Sequence, residues 1–376
     1  MNENSEKKVL VVDDSAFMRK LISDMLSKHP NLTVIGTARN GKDALSKVQT
    51  MKPDVITMDI EMPLMNGLEA LKEIMDHYPT PIVMLSSTTE IGAANTITAI
   101  EYGAVDFVAK PGGPISLNLG EVEKEIVEKV YAASKVRVDR LIRRDIVRKP
   151  ILQSTTTAPE QSSIQPLNKD LPSPRAVHKK ISKSQRSFVI IGTSTGGPRA
   201  LQEVLTSLPA NIPAPILIVQ HMPPNFTKSL AERLNGMSAL RIKEAEDGEE
   251  LLNGVAYIAP GGIHLKFEKS GIGYKVRLDP SEPPRMGHRP SVDVLLESAA
   301  LKQDLQYVTA IMTGMGHDGR DGMRKLQASC TTVTIAESEQ TSVVYGMPKA
   351  IKDAGLADEV VDLQNIAPTI MEILLG

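Results

Sequence analysis

The chain has 376 residues, 41% of them hydrophobic, enough for two or three domains, while five Phe, seven Tyr and no Trp exclude an aromatic stacking platform for single-stranded nucleic acid. Cys330 is the single cysteine, which excludes an intrachain disulfide, and "MNENSEKKVLVVDD" at the start holds no apolar run fit for a signal peptide or membrane span, so a cytoplasmic protein is expected. The net charge of -2 conceals an excess of +9 between Lys135 and Arg186, where 13 Lys/Arg face 4 Asp/Glu, leaving -11 for the remainder.

The first 115 residues alternate strand and helix. "KVLVVDD" is an apolar run ending in two carboxylates, followed by Phe17, Leu21 and Met25 at helical spacing. "LTVIGTA", "DVITMDI", "PIVMLSS" and "VDFVAK" read as further buried strands, separated by helical "GKDALSKVQ" and "GLEALKEIMDHY". Such alternation predicts a parallel sheet covered on both faces, with ligands at the carboxyl ends of its strands. Asp13, Asp14, Asp59, Ser86 and Lys110 all fall at those ends. Three carboxylates brought together repel, and a Mg²⁺ ion with its preference for hard oxygen ligands resolves the repulsion. Lys110 adds a cation and Ser86 a hydroxyl, completing a phosphoryl site with Asp59 as acceptor.

"VVDDSAFMRKLI", "DVITMDIEMPLMNGLEALK", "VMLSS" and "GAVDFVAKP" resemble the receiver domain of two-component response regulators, over residues 7 to about 125. The resemblance implies a flavodoxin-like (βα)5 fold and a sensor histidine kinase as phosphodonor. It implies Asp59 as phosphoacceptor, with Asp14 and Asp59 as Mg²⁺ ligands, Asp13 in support and the Glu61 carbonyl as a backbone ligand. Ser86 and Phe107 would form the switch pair, and Lys110 would pair with the phosphate.

From Leu119 to Arg148 the pattern is helical and increasingly basic. The following "KPILQSTTTAPEQSSIQPLNKDLPSPRAVHKKISKSQR" is polar and Pro-rich with no apolar period, and reads as a flexible linker. The expected boundaries are 6–125 for the first domain, 126–186 for a helical extension and linker, and 187–376 for the last domain. There "SFVIIG", "APILIVQ", "GVAYIAP", "YVTAIMTG" and "TTVTIAE" read as strands, and "IHLKFEKSGIGYKVRLD" as a hairpin turning at Gly271–Gly273.

Two loops of this last domain invite chemistry. "GMGHDG", Gly314 to Gly319, fits G-x-G-x-x-G between a strand and a helix, with Glu337 roughly 20 residues on, a dinucleotide pattern. Against it, Asp318 puts a negative charge where pyrophosphate would sit. Gly192 to Gly196, "GTSTG", fits G-x-S-x-G, which presents a serine hydroxyl on a sharp strand-to-helix turn. Ser194 is then either a nucleophile or a helix N-cap. A nucleophile needs a base and an orienting acid. His221 ends the strand "APILIVQH", and Asp318 follows "YVTAIMTG", both at the edge that holds Ser194. Of the other histidines, His264 lies within a strand, His288 lies in a loop where it could line the site with Arg285 and Arg289 but has no strand-end placement, and His317 points away if Asp318 points in.

"IIGTSTGGPRAL", "QHMPPNFTKSLAERLN", "EAEDGE", "AYIAPGGIHL", "HRPSVDVL" and "TGMGHDGRDGM" resemble the catalytic domain of the CheB methylesterases, over about residues 187 to 370. The resemblance implies a doubly wound, mostly parallel α/β domain with an added hairpin. It implies Ser194 as nucleophile, His221 as general base and acid, Asp318 as orienting carboxylate, and the Met315 N–H with Thr195 as oxyanion support. The implied activity is phosphorylation-activated hydrolysis of glutamate γ-methyl esters on chemoreceptors, releasing methanol, with glutamine deamidation in some relatives. No cofactor is implied for the ester hydrolysis, and a monomer is expected.

Overall fold

The computed structural model describes residues 5–110, 119–138, 181–182 and 184–376. The region read from the sequence as a flexible linker lies mostly outside the described residues.

The N-terminal part runs β1 (Lys7–Val12), α1 (Ala16–Leu26), β2 (Leu32–Ala38), α2 (Gly41–Met51), β3 (Val55–Asp59), α3 (Gly67–His77), β4 (Ile82–Ser86), α4 (Glu90–Glu101), β5 (Asp106–Ala109) and α5 (Leu119–Ala133). The strands form one parallel sheet in the order β2-β1-β3-β4-β5, the flavodoxin-like order. Val9 to Val12, Ile56, Met58 and Val83 to Leu85 are buried, as strands covered on both faces require. On α1 the inward face is Ile22, Met25 and Leu26, whereas Phe17 is 72% exposed. Met25 of the expected helical face is in the core and Leu21 packs against it, while Phe17, one turn earlier, faces out.

The C-terminal part runs β6 (Arg186–Thr193), α6 (Gly197–Ser207), β7 (Ile216–Gln220), α7 (Phe226–Asn235), β8 (Arg241–Glu244), β9 (Val255–Ile258), β10 (His264–Ser270), β11 (Gly273–Asp279), α8 (Val292–Ala300), β12 (Leu305–Ile311), α9 (Arg320–Ser329), β13 (Thr332–Glu337), α10 (Met347–Asp353), β14 (Glu359–Val361) and α11 (Leu363–Leu375). Seven strands pair in the order β14-β13-β12-β6-β7-β9-β8, all parallel, and β10–β11 form a separate antiparallel hairpin. The chain starts in mid-sheet with β6 and builds outward both ways, so a topological switch point lies between β6 and β12, where a ligand crevice is expected.

The two parts touch. α4 packs against α7, and Phe107 stacks on Phe226 with ring centroids 4.6 Å apart. Asn225 Nδ2 donates to Thr88 O at 3.3 Å, and Arg233 pairs with both carboxylate oxygens of Glu101 at 2.6 and 2.8 Å.

Candidate functional site

β6, β7 and β12 lie side by side, and each delivers one residue to the same edge. Ser194 follows β6. Its N–H donates to Thr313 O at 3.0 Å, and its carbonyl accepts from Gly197 N at 2.8 Å, bending the chain into α6. The bend requires Gly196 at φ 78, in the left-handed region that glycine enters without a Cβ penalty. His221 follows β7, and its N–H donates to Thr193 O at 3.2 Å, next to Ser194. Asp318 lies in the Gly314–Gly319 loop after β12. That loop crosses Ser194 closely: a Cβ on Gly314 would stand 2.8 Å from Ser194 Cβ.

His221 Nε2 donates to Asp318 Oδ2 at 2.8 Å. The carboxylate is buried and accepts three more hydrogen bonds: from Ser291 Oγ at 2.9 Å, Val292 N at 2.7 Å and Asp293 N at 2.9 Å. The two backbone donors belong to the first turn of α8, whose dipole favours a negative charge there. Burial alone would raise the Asp318 carboxyl, but the His221 hydrogen bond and charge and the α8 amides outweigh it and hold it well below the usual range. Its neighbour Asp293 goes the other way, pushed up to about 6 by burial and then by the Asp318 charge, despite accepting from Gly322 N.

With Nε2 committed to Asp318, the other nitrogen of His221 is the one left for chemistry. His221 Nδ1 is buried and has no hydrogen-bond partner. Ser194 is 8% exposed. Met315 is half-buried and lines the adjoining cavity. The Thr195 hydroxyl, expected beside the oxyanion, instead donates to Asp106 Oδ2 of the N-terminal part at 2.6 Å.

The remaining histidines sort cleanly. His264 is fully buried; its Nδ1 accepts from Ser291 N and its Nε2 donates to Pro283 O, both at 3.2 Å. His317 is exposed. His288 stacks face to face on His221, centroids 3.9 Å apart and planes 7° from parallel. Burial, and then the His221 charge, push His288 down to about 3, so it stays neutral.

The second cluster lies at the carboxyl edge of the N-terminal sheet. Carboxylate oxygens of Asp13, Asp14 and Asp59 fall within 4.8 Å of one another. Asp13 and Asp59 are buried and Asp14 is exposed. Lys110 Nζ lies 3.0 Å from Asp13 Oδ2 and 2.7 Å from Asp59 Oδ1. Burial pushes the Asp59 carboxyl up, against the pull of Lys110. Asp13 Oδ2 makes no hydrogen bond beyond this ion-pair contact. Buried hard oxygens short of donors fit a Mg²⁺ ion. Glu61 is exposed and accepts from Ser87 Oγ at 3.3 Å. The Ser86 hydroxyl is buried and donates to Gly92 O at 3.0 Å, and Phe107 is turned in, 1% exposed.

A family model described as "CheB methylesterase" matches residues 189–370, and one described as "Response regulator receiver domain" matches residues 9–118. The chain is 53% identical over 367 residues to a "Protein-glutamate methylesterase/protein-glutamine glutaminase" of Geobacillus kaustophilus (strain HTA426), covering 98% of each chain. The chain belongs to the CheB methylesterase family. A Bacillus subtilis (strain 168) relative of the same name is 46% identical over 364 residues, 96% of this chain and 97% of its own. The crystal structure of the Thermotoga maritima CheB methylesterase catalytic domain is 45% identical, covering 50% of this chain and 97% of its own, with a TM-score of 0.47.

Several residues of this family member's site escaped the sequence. Gln220 ends an all-apolar strand, the one local hint of a task. Its Nε2 donates to Ser194 O at 3.0 Å and His221 O at 3.2 Å, and its Oε1 accepts from Thr193 Oγ1 at 2.7 Å, which ties β6 to β7. Ser291 and Asp293 lie in the quoted segment "HRPSVDVL", but nothing in it assigned them a role at Asp318. The dinucleotide reading of Gly314–Gly319 loses its basis here: Asp318 turns inward to His221 and α8, leaving a held-down carboxylate in a loop that would have to cradle pyrophosphate. No helix among the described residues is long and apolar enough to cross a membrane.

Proposed function

We propose that this chain is a protein-glutamate methylesterase controlled by phosphorylation, with a receiver at 6–125, a connecting stretch at 126–186 and the catalytic domain at 187–376. The observation that carries the reading is the pairing of His221 Nε2 with buried Asp318 while Nδ1 stays unpartnered and the His221 backbone is bonded to Thr193, next to Ser194.

Ser194 Oγ attacks the γ-ester carbonyl carbon of a receptor glutamate and gives its proton to His221 Nδ1. Asp318 accepts from Nε2 and stabilises the imidazolium that forms. The oxyanion sits at the N-terminus of α6, with the Met315 N–H as donor and Thr195 joining it once its hydroxyl is released from Asp106. His288, neutral and stacked, supports the ring without adding a competing positive charge. As the ester C–O bond breaks, Nδ1 returns its proton to the departing methoxide and methanol leaves. Water then attacks the acyl-Ser194, its proton passing to Nδ1, and glutamate and the serine are restored. An amide in place of the ester releases ammonia by the same steps, which is the glutaminase activity in the relatives' names.

In the receiver, Asp59 accepts the phosphoryl group from a sensor histidine kinase. Asp13, Asp14 and Asp59, with the Glu61 carbonyl, would hold Mg²⁺, which supplies charge neutralisation for phosphoryl transfer. Lys110 pairs with the resulting acyl phosphate, and Ser86 and Phe107 move toward it. Phe107 leaves its stack on Phe226, the receiver loosens, and Ser194 opens to substrate. The setting is cytoplasmic, with the receptor reached from solution.

A serine-reactive fluorophosphonate tests the site directly. It should label one peptide, at Ser194, and labelling should vanish in Ser194→Ala and fall sharply in His221→Ala. Labelling elsewhere, or undiminished labelling of Ser194→Ala, would refute the assignment.

A further inference from the structure

A cavity of about 930 Å³ opens beside the site, lined by His288 and Asp318 and, further out, by Met286, Met315, Val343 and Tyr345. Met286 is anomalous in two independent ways. It is 45% exposed, a large apolar side chain at the rim of a polar reaction centre. It also holds φ 51, the left-handed region that disfavours residues with a Cβ.

The cause is local. Arg285 and His288 exchange both backbone hydrogen bonds, at 3.0 and 2.9 Å, so Met286 and Gly287 form a two-residue turn with φ 51 and φ 82. Such a turn favours Asn-Gly. A methionine there is a worse choice for folding, and it points an apolar side chain into the cleft next to the histidine that stacks on His221. Methionine suits surfaces that must fit apolar partners of varied shape.

We propose that Met286 is a specificity-determining residue, packing on the apolar face of the helical receptor segment that carries the reactive glutamate. The inference rests on the methylesterase reading and names how its substrate is gripped. The backbone pairing at the cleft favours a helix over an extended segment. An extended peptide binds by adding to a free strand edge. Here Arg285 and His288 spend their backbone groups on each other, and the facing loop is likewise paired, Gly314 N to Val344 O and Gly346 N to Gly314 O.

The test compares full-length enzyme, activated with a small-molecule phosphodonor, on methylated receptor in native membranes and on p-nitrophenyl acetate. Met286→Asn relaxes the turn and removes the apolar contact. It should raise KM for receptor roughly tenfold, the loss expected when about half a methionine side chain stops being buried. Its kcat should change far less, and the ratio of receptor to small-ester kcat/KM should fall by the same roughly tenfold factor. Its thermal midpoint should not drop, and Met286→Leu should restore most of the receptor affinity. An unchanged receptor KM in Met286→Asn, an equal loss on both substrates, or failure of Met286→Leu to rescue would overturn the proposal. Small-ester turnover that survives Ser194→Ala would instead overturn the hydrolase reading on which it rests.

Discussion

Thr195 donates its hydroxyl to Asp106 at 2.6 Å, joining the residue after Ser194 to the residue before Phe107. Asp106 is buried, and Lys129 Nζ lies 3.5 Å from its other oxygen while donating to Phe107 O at 2.7 Å. Burial alone would lower the Lys129 ammonium, but the charges of Asp106 and Glu125 outweigh it, so it stays protonated. The Ser194 turn and Phe107 are thus tied to one buried carboxylate.

Asp106→Ala removes that tie. Methanol release by the unphosphorylated enzyme should rise several-fold. Receiver stability should fall by about 1–3 kcal/mol, because Lys129 loses a buried partner. A basal rate equal to wild type would show that the contact plays no part in restraint.

Salt should act weakly. The Arg233–Glu101 pair spans the same boundary but is 52% and 22% exposed, and such pairs contribute about 0–1 kcal/mol. Raising ionic strength from ~0.05 to ~0.5 M should increase the unphosphorylated rate by less than about fivefold. Arg233→Ala should reproduce that increase and abolish the salt response. A large salt effect that persists in Arg233→Ala would place the restraint elsewhere.

The histidines separate by role. His221→Ala should cause the largest fall in kcat, with Asp318→Asn close behind at roughly 10⁴-fold, since it leaves the imidazole in the wrong tautomer. His264→Ala should chiefly lower stability, because it strands the Ser291 N–H. His317→Ala, at an exposed position, should be nearly silent. A larger loss in any histidine variant other than His221 would reassign the base.

His288 makes stability fall in acid. Its unfolded form takes a proton near the ordinary value of 6.5, while the folded form, stacked on His221 and facing Asp318, Lys124 and Lys129, resists until about 3. The contribution is therefore complete above about pH 6.5 and is lost as pH falls below it, amounting to at most about 2 kcal/mol by pH 5 before solvent screening reduces it. His264 shifts in the same direction, through burial. In urea titrations, His288→Phe should lose less stability than wild type between pH 7.5 and 5. An identical pH slope in the two proteins would contradict this.

Much of this was legible in the sequence because parallel strands buried on both faces leave continuous apolar runs, and such runs end where the chemistry sits. β8 (Arg241–Glu244) and β14 (Glu359–Val361) were not anticipated: both are edge strands of four and three residues, too short to show a period, and their pairing is decided by other parts of the chain. Ser194, His221 and Asp318 stood out because each follows a strand end. His288 did not, because its stack on His221 depends on the Arg285–His288 turn folding back across the sheet edge. The occupation of Thr195 by Asp106 was equally hidden, since a contact between two domains has no sequence period.

The most direct test of the central claim is methanol release from methylated receptor membranes by full-length enzyme, with and without a phosphodonor. Wild type should be slow alone and markedly faster with phosphodonor. Ser194→Ala should release none in either condition while still accepting phosphoryl at Asp59. Methanol release by Ser194→Ala at a rate near wild type would contradict the account.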